Sequence, residues 1–504
     1  METLIERHLE KISGVISCYD RIVITGTLTV LSNSRSMTSY LYSQNVRIFD
    51  YPKFAEPFRN QLRKNAEKIA KDNGIEIEFI RNANTRKEDI INKKLEQRGT
   101  QPGLIHIMNA MEVCSTYKPW YDKTSGKTYL KGETSKCSTY YFYFIDEFLG
   151  LCYVRVPTWL PFRLQIYFNG HNWLAYKLKE AGVDYKMADN SFIEISDWDK
   201  ANELSKTLKV EELHKRLNDF ASLYCPVYKE FKQFYHWSVM QCEYSTDIVF
   251  KKREDLQSIY DKLVQTAIHT VKPDNIVTFL GKKLHPLYQG EIGNNYHTRI
   301  EGTRIKHSMG SVSIKMYDKF GQILRIETTS NDISFFKHYR EVIHRDGTRT
   351  EKEAPMKKYI YSLTPLQAIM DASNHRYIDF ISAIEDNKVG KDKLEKITQK
   401  VTKDNRNYSG FNFFDKEDNH LLQVIARGEF NIYGFRAKHL KQFVNKSSSQ
   451  ISRILKRLHT HKLIKKIRNS YKYYLTDLGK EAIILGEKLI NLVIIPELNY
   501  LRIQ

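Results

Sequence analysis

Apolar positions change their spacing along this chain, and the spacing names the element. Between Ala55 and Asn73, residues Phe58, Leu62, Ala66 and Ile69 recur at helical intervals, so a helix is expected there. Arg21–Leu31 (RIVITGTLTVL) and Ile75–Ile80 are rich in β-branched residues and read as strands. Lys87–Arg98 predicts a second helix and Leu104–Val113 a buried strand. Tyr121–Lys131 predicts a hairpin around Ser125-Gly126, and Thr139–Val156 a longer one turning at Asp146–Gly150. Phe162–Phe168 reads as a strand and Gly170–Ala181 as a helix. Strands that alternate with helices and also pair in hairpins imply a mixed sheet.

Beyond residue 200 the pattern changes. Residues 201–285 read as mainly helical, and residues 286–335 return to strands. Asp332–Met356 is charged and reads as an exposed connection, Ser362–Thr402 as helical, and Lys403–Phe414 as a linker. The expected fold class is α+β. A mixed α/β domain spans 1–200, and a helical region with an inserted β-hairpin region (286–335) spans 201–405. A winged-helix domain spans 412–485, and a tail covers 486–504. The sequence shows no internal repeat and no low-complexity segment.

The last hundred residues carry the clearest pattern. Asp418–Gly428 and Arg436–Phe443 predict two helices. Ser447, Ser448 and Ser449 then offer N-cap hydroxyls to a third. In it Ile451, Ile454, Leu455 and Leu458 form one apolar stripe, opposite Gln450, Arg453, Lys456 and Arg457. Lys465–Tyr474 alternates around Asn469-Ser470 and reads as a hairpin, after which Thr476 starts a final helix. From Lys441 to Lys472 there are ten Lys/Arg and no Asp or Glu. This order, with the Y-x-L-T-x-x-G turn at Tyr473, Leu475, Thr476 and Gly479, resembles the winged-helix domains of MarR-type regulators. The resemblance implies double-stranded DNA as partner and a homodimer as assembly. Ser449, Gln450, Arg453, Lys456 and Arg457 would face the major groove, and Lys465, Lys466, Arg468 and Lys472 the phosphates beside the wing. A solvated basic helix or a protein-interaction module would show the same stripe.

Composition agrees with a polyanionic partner. The 504 residues carry 79 Lys/Arg against 59 Asp/Glu, a net charge of +20, which favours phosphates through counterion release. No run of 18 apolar residues exists, so no membrane span is expected. Met1–Glu10 is charged from its second residue and does not read as a secretory leader. The six cysteines form no C-x-x-C pair, which suits a reducing, cytoplasmic, nucleoid-associated setting. No P-loop, G-x-S-x-G or H-E-x-x-H motif is present, against ATPase, serine hydrolase and zinc peptidase chemistry.

Candidate chemistry lies at Thr303–Thr329. Two strands there flank an Asp318-Lys319-Phe320-Gly321 turn, with Arg304, Lys306, Lys315 and Lys319 supplying positive charge. The K-M-Y-D-K turn followed by R-x-E is similar to the strand pair of rolling-circle plasmid replication initiators and filamentous-phage replication proteins. That resemblance implies Tyr317, or a nearby tyrosine, as nucleophile on a phosphodiester. It implies Glu301, Asp318 or Glu327 as holder of Mg²⁺ or Mn²⁺. The His-hydrophobe-His metal motif of many such nickases is absent: His106 stands alone in LIHIM. A basic hairpin that binds phosphate and cuts nothing remains the alternative.

Two further constellations are weaker. Asp20, at the edge of a first strand, with Asp146 and Glu147 on a later hairpin, offers carboxylates for a metal-dependent nuclease, or merely caps and ion pairs. Trp159–Trp173, with Arg155, Arg163, Gln165, Asn169, His171 and Asn172, interleaves polar and aromatic groups. That suits single-stranded DNA or RNA, and equally a packed corner. The whole chain resembles a bacterial family of about this length labelled MarR-like, through C-Y-D-R at Cys18–Arg21, R-x-x-T-W-x-P-F at Arg155–Phe162 and the K-M-Y-D-K hairpin. The leading expectation is a DNA-binding protein of a mobile element or plasmid acting in replication or transposition. A transcriptional regulator with a large N-terminal region, and an RNA-binding ribonucleoprotein component, are the alternatives.

Overall fold

In the computed structural model the strand-rich runs pair across the chain. The structure describes residues 3–82, 84–99, 101–283, 288, 290–299, 302–385, 388–467 and 470–500. The first strands are β1 (Ile12–Thr27), β2 (Ile77–Ile80), β3 (Gly103–Asp122), β4 (Lys127–Asp146), β5 (Gly150–Pro157) and β6 (Leu164–Asn169). A small hairpin, β7 (Tyr185–Ala188) with β8 (Ser191–Ile195), follows. Then come β9 (His236–Phe250), β10 (Ile292–Arg299), β11 (Gly302–Met309), β12 (Val312–Lys319) and β13 (Ile323–Ser330). All but β7 and β8 join one eleven-stranded mixed sheet, in the order β10-β11-β12-β13-β9-β1-β6-β5-β4-β3-β2. Only the β2–β3 pair is parallel among the described pairings.

That order contains one topology twice. Each half has a first strand (β1 or β9), then helices, then a four-strand meander (β3–β6 or β10–β13). The last strand of each meander returns to pair with the first strand of its half. The halves join where β1 and β9 run antiparallel, with Tyr19 opposite Tyr244 and their rings edge-on at 5.2 Å. No sequence repeat announces this, because a shared topology needs only a shared pattern of faces.

One face of the sheet is apolar and covered by helices. Phe142 and Phe144 pack on Tyr224 of the helix Val210–Tyr224, and Asn374 of the helix Leu363–Glu385 bonds Thr328 and the Tyr244 carbonyl. The opposite face is polar near its centre. It is covered at one edge by Lys87–Arg98, around a smaller core of Ile80, Ile91, Met108 and Tyr141.

The strand β9 lies inside a stretch expected to be helical, and it is the middle of the sheet. Residues 1–200 and 201–385 therefore share one sheet, and Met1–Glu385 forms one compact unit. The division expected near residue 200 does not appear. The charged connection at Asp332–Met356 holds a hairpin, β14 (Lys337–Ile343) with β15 (Arg349–Pro355). Cross-strand pairing satisfies its backbone while its side chains stay in water.

The second unit starts at residue 386 rather than 412. Its linker candidate also pairs, as β16 (Val401–Lys403) with β17 (Arg406–Tyr408). Helices Lys416–Ile425, Gly428–Tyr433, Ala437–Lys441 and Ser448–Thr460 follow. Then come the hairpin β18 (Ile464–Lys466) with β19 (Tyr473–Leu475) and the helix Asp477–Lys488. The expected tail continues that helix, as Leu489–Ile494 and Ile495–Tyr500. Its core is built from Leu422, Ile425, Leu440, Ile451, Leu455 and Leu458. Among the described residues no helix is long and apolar enough to cross a membrane.

Candidate active site

Cross-strand register assembles the polar face. Lys315 pairs with Glu327, Tyr317 with Arg325, Arg325 with Asp247 and Thr329 with Glu243. Side chains alternate with period two, so Lys315, Tyr317, Arg325, Glu327, Glu243 and Asp247 all project to one side. A register shift in β1 between Tyr19 and Ile22 delivers Asp20 to the same place, as bulges re-aim side chains. All of these but the fully buried Asp247 line a cavity of about 310 Å³ that also receives Arg304, Lys319 and Asn190.

The floor is a buried ionic cluster. Arg325 is fully buried and donates to both oxygens of Asp247 at 2.6 Å and to Asp20 Oδ2 at 2.9 Å. A planar guanidinium matches a carboxylate bidentately. Ser191 Oγ accepts a further bond from Arg325 at 2.8 Å. His171 lies 3.4 Å from Asp20 and 3.7 Å from Asp247. The helix carrying His171 starts at Gly170, where an added Cβ would meet the Tyr19 carbonyl at 2.2 Å, so only glycine lets the helix approach β1 this closely. Asn169 and Asn190 donate to Asp20 Oδ1 at 2.6 and 2.7 Å. Burial alone would push both carboxyls up. Arg325 first and His171 next together outweigh it, holding Asp247 down at about 2 and Asp20 well below its usual range.

Above that floor sits a second polar layer. Tyr317 Oη donates to Glu327 Oε2 at 2.7 Å. Lys315 Nζ donates to Glu327 Oε1 at 2.5 Å and reaches Glu243 at 3.4 Å. Burial, then the Glu327 charge, pushes the Tyr317 phenol well above its usual value. The same two causes raise Glu243 to about 6. Burial opposes the Lys315 charge, but Glu327 and Glu243 outweigh it and raise its value. Lys319 bonds Asn190 and is lowered by burial and by Arg325.

Asp20, Glu243 and Glu327 each offer a carboxylate oxygen, and these atoms lie within 4.8 Å of one another. Hard oxygen donors of this kind suit Mg²⁺ or Mn²⁺. The Lys315 ammonium already neutralises two of them, so an incoming dication must displace or share it.

Of the metal candidates expected from sequence, only Glu327 joins this trio. Asp318 borders the cavity, but its Oδ2 accepts from Gln257 at 2.7 Å, because period two turns the carboxyl away from Tyr317. Glu301 lies outside the described residues. Asp146 caps its turn, accepting from the Phe148 and Leu149 amides. Lys306 pairs opposite Lys315 across β11 and β12. Glu243, Asp247 and Asn190 were not anticipated. Gln241, Glu243, Ser245 and Asp247 do alternate with Cys242, Tyr244, Thr246 and Ile248, and that period-two pattern was the available signal.

In the second unit Ser447 caps the helix Ser448–Thr460, and Gln450 closes the capping box by accepting from the Ser447 amide at 2.8 Å. Ser449, Arg453, Lys456, Lys465 and Lys466 are exposed, and Lys472 is half-buried beside Tyr474. Arg457 turns inward instead. It chelates Asp418 at 2.7 and 2.8 Å and stacks 3.9 Å over Phe411. It sits on the flank of the apolar stripe, where a carboxylate can reach it. Arg468 lies outside the described residues.

The Trp159–Trp173 constellation divides. Trp173 is buried, Trp159 packs on Tyr51, and Arg163 bonds the Ser32 carbonyl. Arg155 and Gln165 stay on the polar face. Comparisons with family models, curated proteins and solved structures return no match.

Proposed function

We propose that this chain binds DNA through its second unit, as a winged helix, and cuts one strand at Tyr317 in its first. The observation that carries the reading is the Tyr317–Glu327 hydrogen bond inside a cavity lined by cations. A phenol whose proton is held tightly needs a base within hydrogen-bond reach, and Glu327 is that base. Tyr317 Oη would attack phosphorus while its proton passes to Glu327. The bond from phosphorus to the 3′-oxygen would break, leaving a 5′-phosphotyrosyl strand and, after proton uptake from water, a free 3′-hydroxyl. Lys315 and Lys319 would neutralise the phosphate oxygens, and Arg325 would hold Asp20 in place. A divalent ion held by Asp20, Glu243 and Glu327 would supply Lewis-acid polarisation of the phosphate. Such chemistry belongs to mobile-element or plasmid replication and transposition.

A second reading is favoured by Lys315, which already satisfies Glu243 and Glu327 as a resident cation. It makes the chain a DNA-binding regulator that grips phosphate and cuts nothing. Supercoiled plasmid carrying the gene's own flanks separates the two. Nicking with Mg²⁺ or Mn²⁺, a covalent 5′ adduct, and loss of both in Tyr317→Phe support strand cutting. Tight binding without nicking supports the regulator.

A further inference from the structure

Beyond β1 the polar face continues over β6 and β5 to the small core under Lys87–Arg98, on which Tyr153 packs. Register carries one row of side chains across three strands: Tyr167 opposite Tyr153, and Gln165 opposite Arg155. These four and Arg21 are partly exposed, while Ile166, Phe168, Cys152 and Val154 between them are fully buried. The Tyr153 and Tyr167 rings stack at 5.1 Å with 15° between planes. The Arg21 guanidinium lies 5.3 Å from the Tyr167 ring centre. Arg21 follows Asp20 of the carboxylate trio directly along β1.

Two arginines flank that trio, Arg21 on β1 and Arg304 on β11. In each the Nε is buried and has no hydrogen-bond partner. A buried donor left unpaired is costly, and it marks where an acceptor from outside fits. Four strand spacings separate β11 from β1, about 19 Å at the usual spacing. That is several nucleotides of a stacked strand, so the two would meet different phosphates.

We propose that Arg21, Arg304 and the Tyr153–Tyr167 stack seat a single-stranded nucleic acid, with its phosphates on the arginines and unpaired bases against the tyrosines. The proposal rests on the reading of the carboxylate cavity as the place where a phosphodiester lies, and it extends that site across the sheet. Duplex DNA hides its base faces, whereas a single strand presents them to aromatic rings. The exposed rim of the tyrosine stack beside a cation therefore selects an unpaired strand.

The test uses the full-length protein and fluorescence anisotropy with three probes: a twenty-nucleotide oligo-dT, an oligo-U of equal length, and a twenty-base-pair duplex. Arg21→Ala and Arg304→Ala should each flatten the log-log salt dependence of oligo-dT binding by about 0.7. Tyr167→Leu should weaken it roughly tenfold with the slope unchanged, and Tyr167→Phe should restore it. Duplex binding should be unaffected by the Arg21 and Tyr167 substitutions. Oligo-U bound as tightly as oligo-dT makes RNA an equal source of the strand. Unchanged oligo-dT binding, or equal losses on duplex, overturns the seat. Plasmid nicking separates the two ideas. Tyr317-dependent nicking with oligo-dT binding indifferent to these substitutions leaves the cutting and removes the seat. Oligo-dT binding that responds, without nicking, does the reverse.

Discussion

Replacing Arg325 by Met tests the buried cluster that frames the site. The guanidinium makes four short contacts: two to Asp247 at 2.6 Å, one to Asp20 at 2.9 Å and one to Ser191 at 2.8 Å. Methionine is similar in length, so the cavity contribution is small. What remains is two buried carboxylates that have lost their guanidinium and keep His171 beside them. Breaking a buried pair from one side costs about 3–5 kcal/mol, on the order of a hundredfold or more in the folding equilibrium. All five tryptophans lie between residues 120 and 237, so urea unfolding followed by their fluorescence reports on the first unit alone. The pH dependence carries a sign. In the native chain Asp20 and Asp247 are depressed below 3.8, Asp247 to about 2. Their stabilisation is present above the unfolded value and is lost as pH falls through the folded one. Without Arg325 both lose their largest lowering influence and shift upward, against burial that His171 still opposes. A raised carboxyl favours the folded state at low pH, and that benefit is lost as pH climbs through its folded value. The deficit of Arg325→Met should therefore be smaller at pH 5 than at pH 8. A loss under about 1 kcal/mol, or an equal loss at both pH values, would refute the account.

Other outcomes follow from the same geometry. Glu243, raised to about 6 by burial and then by Glu327, should make Mn²⁺ affinity rise as pH passes through 6, with proton release on binding. Calorimetry at pH 5 and 7.5 that gave equal affinities would exclude Glu243 as a ligand. Arg457→Ala should cost the second unit about 1.5–3 kcal/mol, since it loses charged hydrogen bonds to Asp418. This is read as faster exchange of the Leu455 and Leu458 amides. Arg453→Ala, at an exposed position, should leave that exchange unchanged and weaken DNA binding. Lys466→Ala should lower the salt slope of duplex binding by roughly one on every sequence; a changed base preference would count against the docking. Gly170→Ala drives a Cβ to 2.2 Å from the Tyr19 carbonyl and should cost about 1–3 kcal/mol, seen as a lower melting temperature.

Local chemistry was legible where neighbours in sequence are neighbours in space. The helix Lys87–Arg98 and the hairpin turns near Gly126 and Gly150 fall where spacing and turn residues put them. The same holds for the capped helix Ser448–Thr460 and the β18–β19 hairpin behind it. The hairpin β12–β13 that carries the candidate site was also legible, with Tyr317 and Glu327 on one face. The strand β9 was missed. Its flanks are helical, and its alternation of Glu243, Ser245 and Asp247 with buried residues is short. Missing it hid half of the carboxylate cluster and divided a continuous sheet into two domains.

The sequence by itself determined which residues lie on which face of each element, because that depends only on periods of 3.6 and two. It also determined the cationic, acid-free helix and hairpin of the second unit. Which strands became neighbours was decided only in three dimensions. Asp20 and Arg325 touch across 305 residues of chain, because β1 and β9 pair along the whole length of β9 and β13 pairs on its other side. Period fixes the face a side chain takes, but any strand of matching face and length can serve as partner. The choice belongs to the packing of the whole sheet, and with it came the doubled topology and the site at its centre.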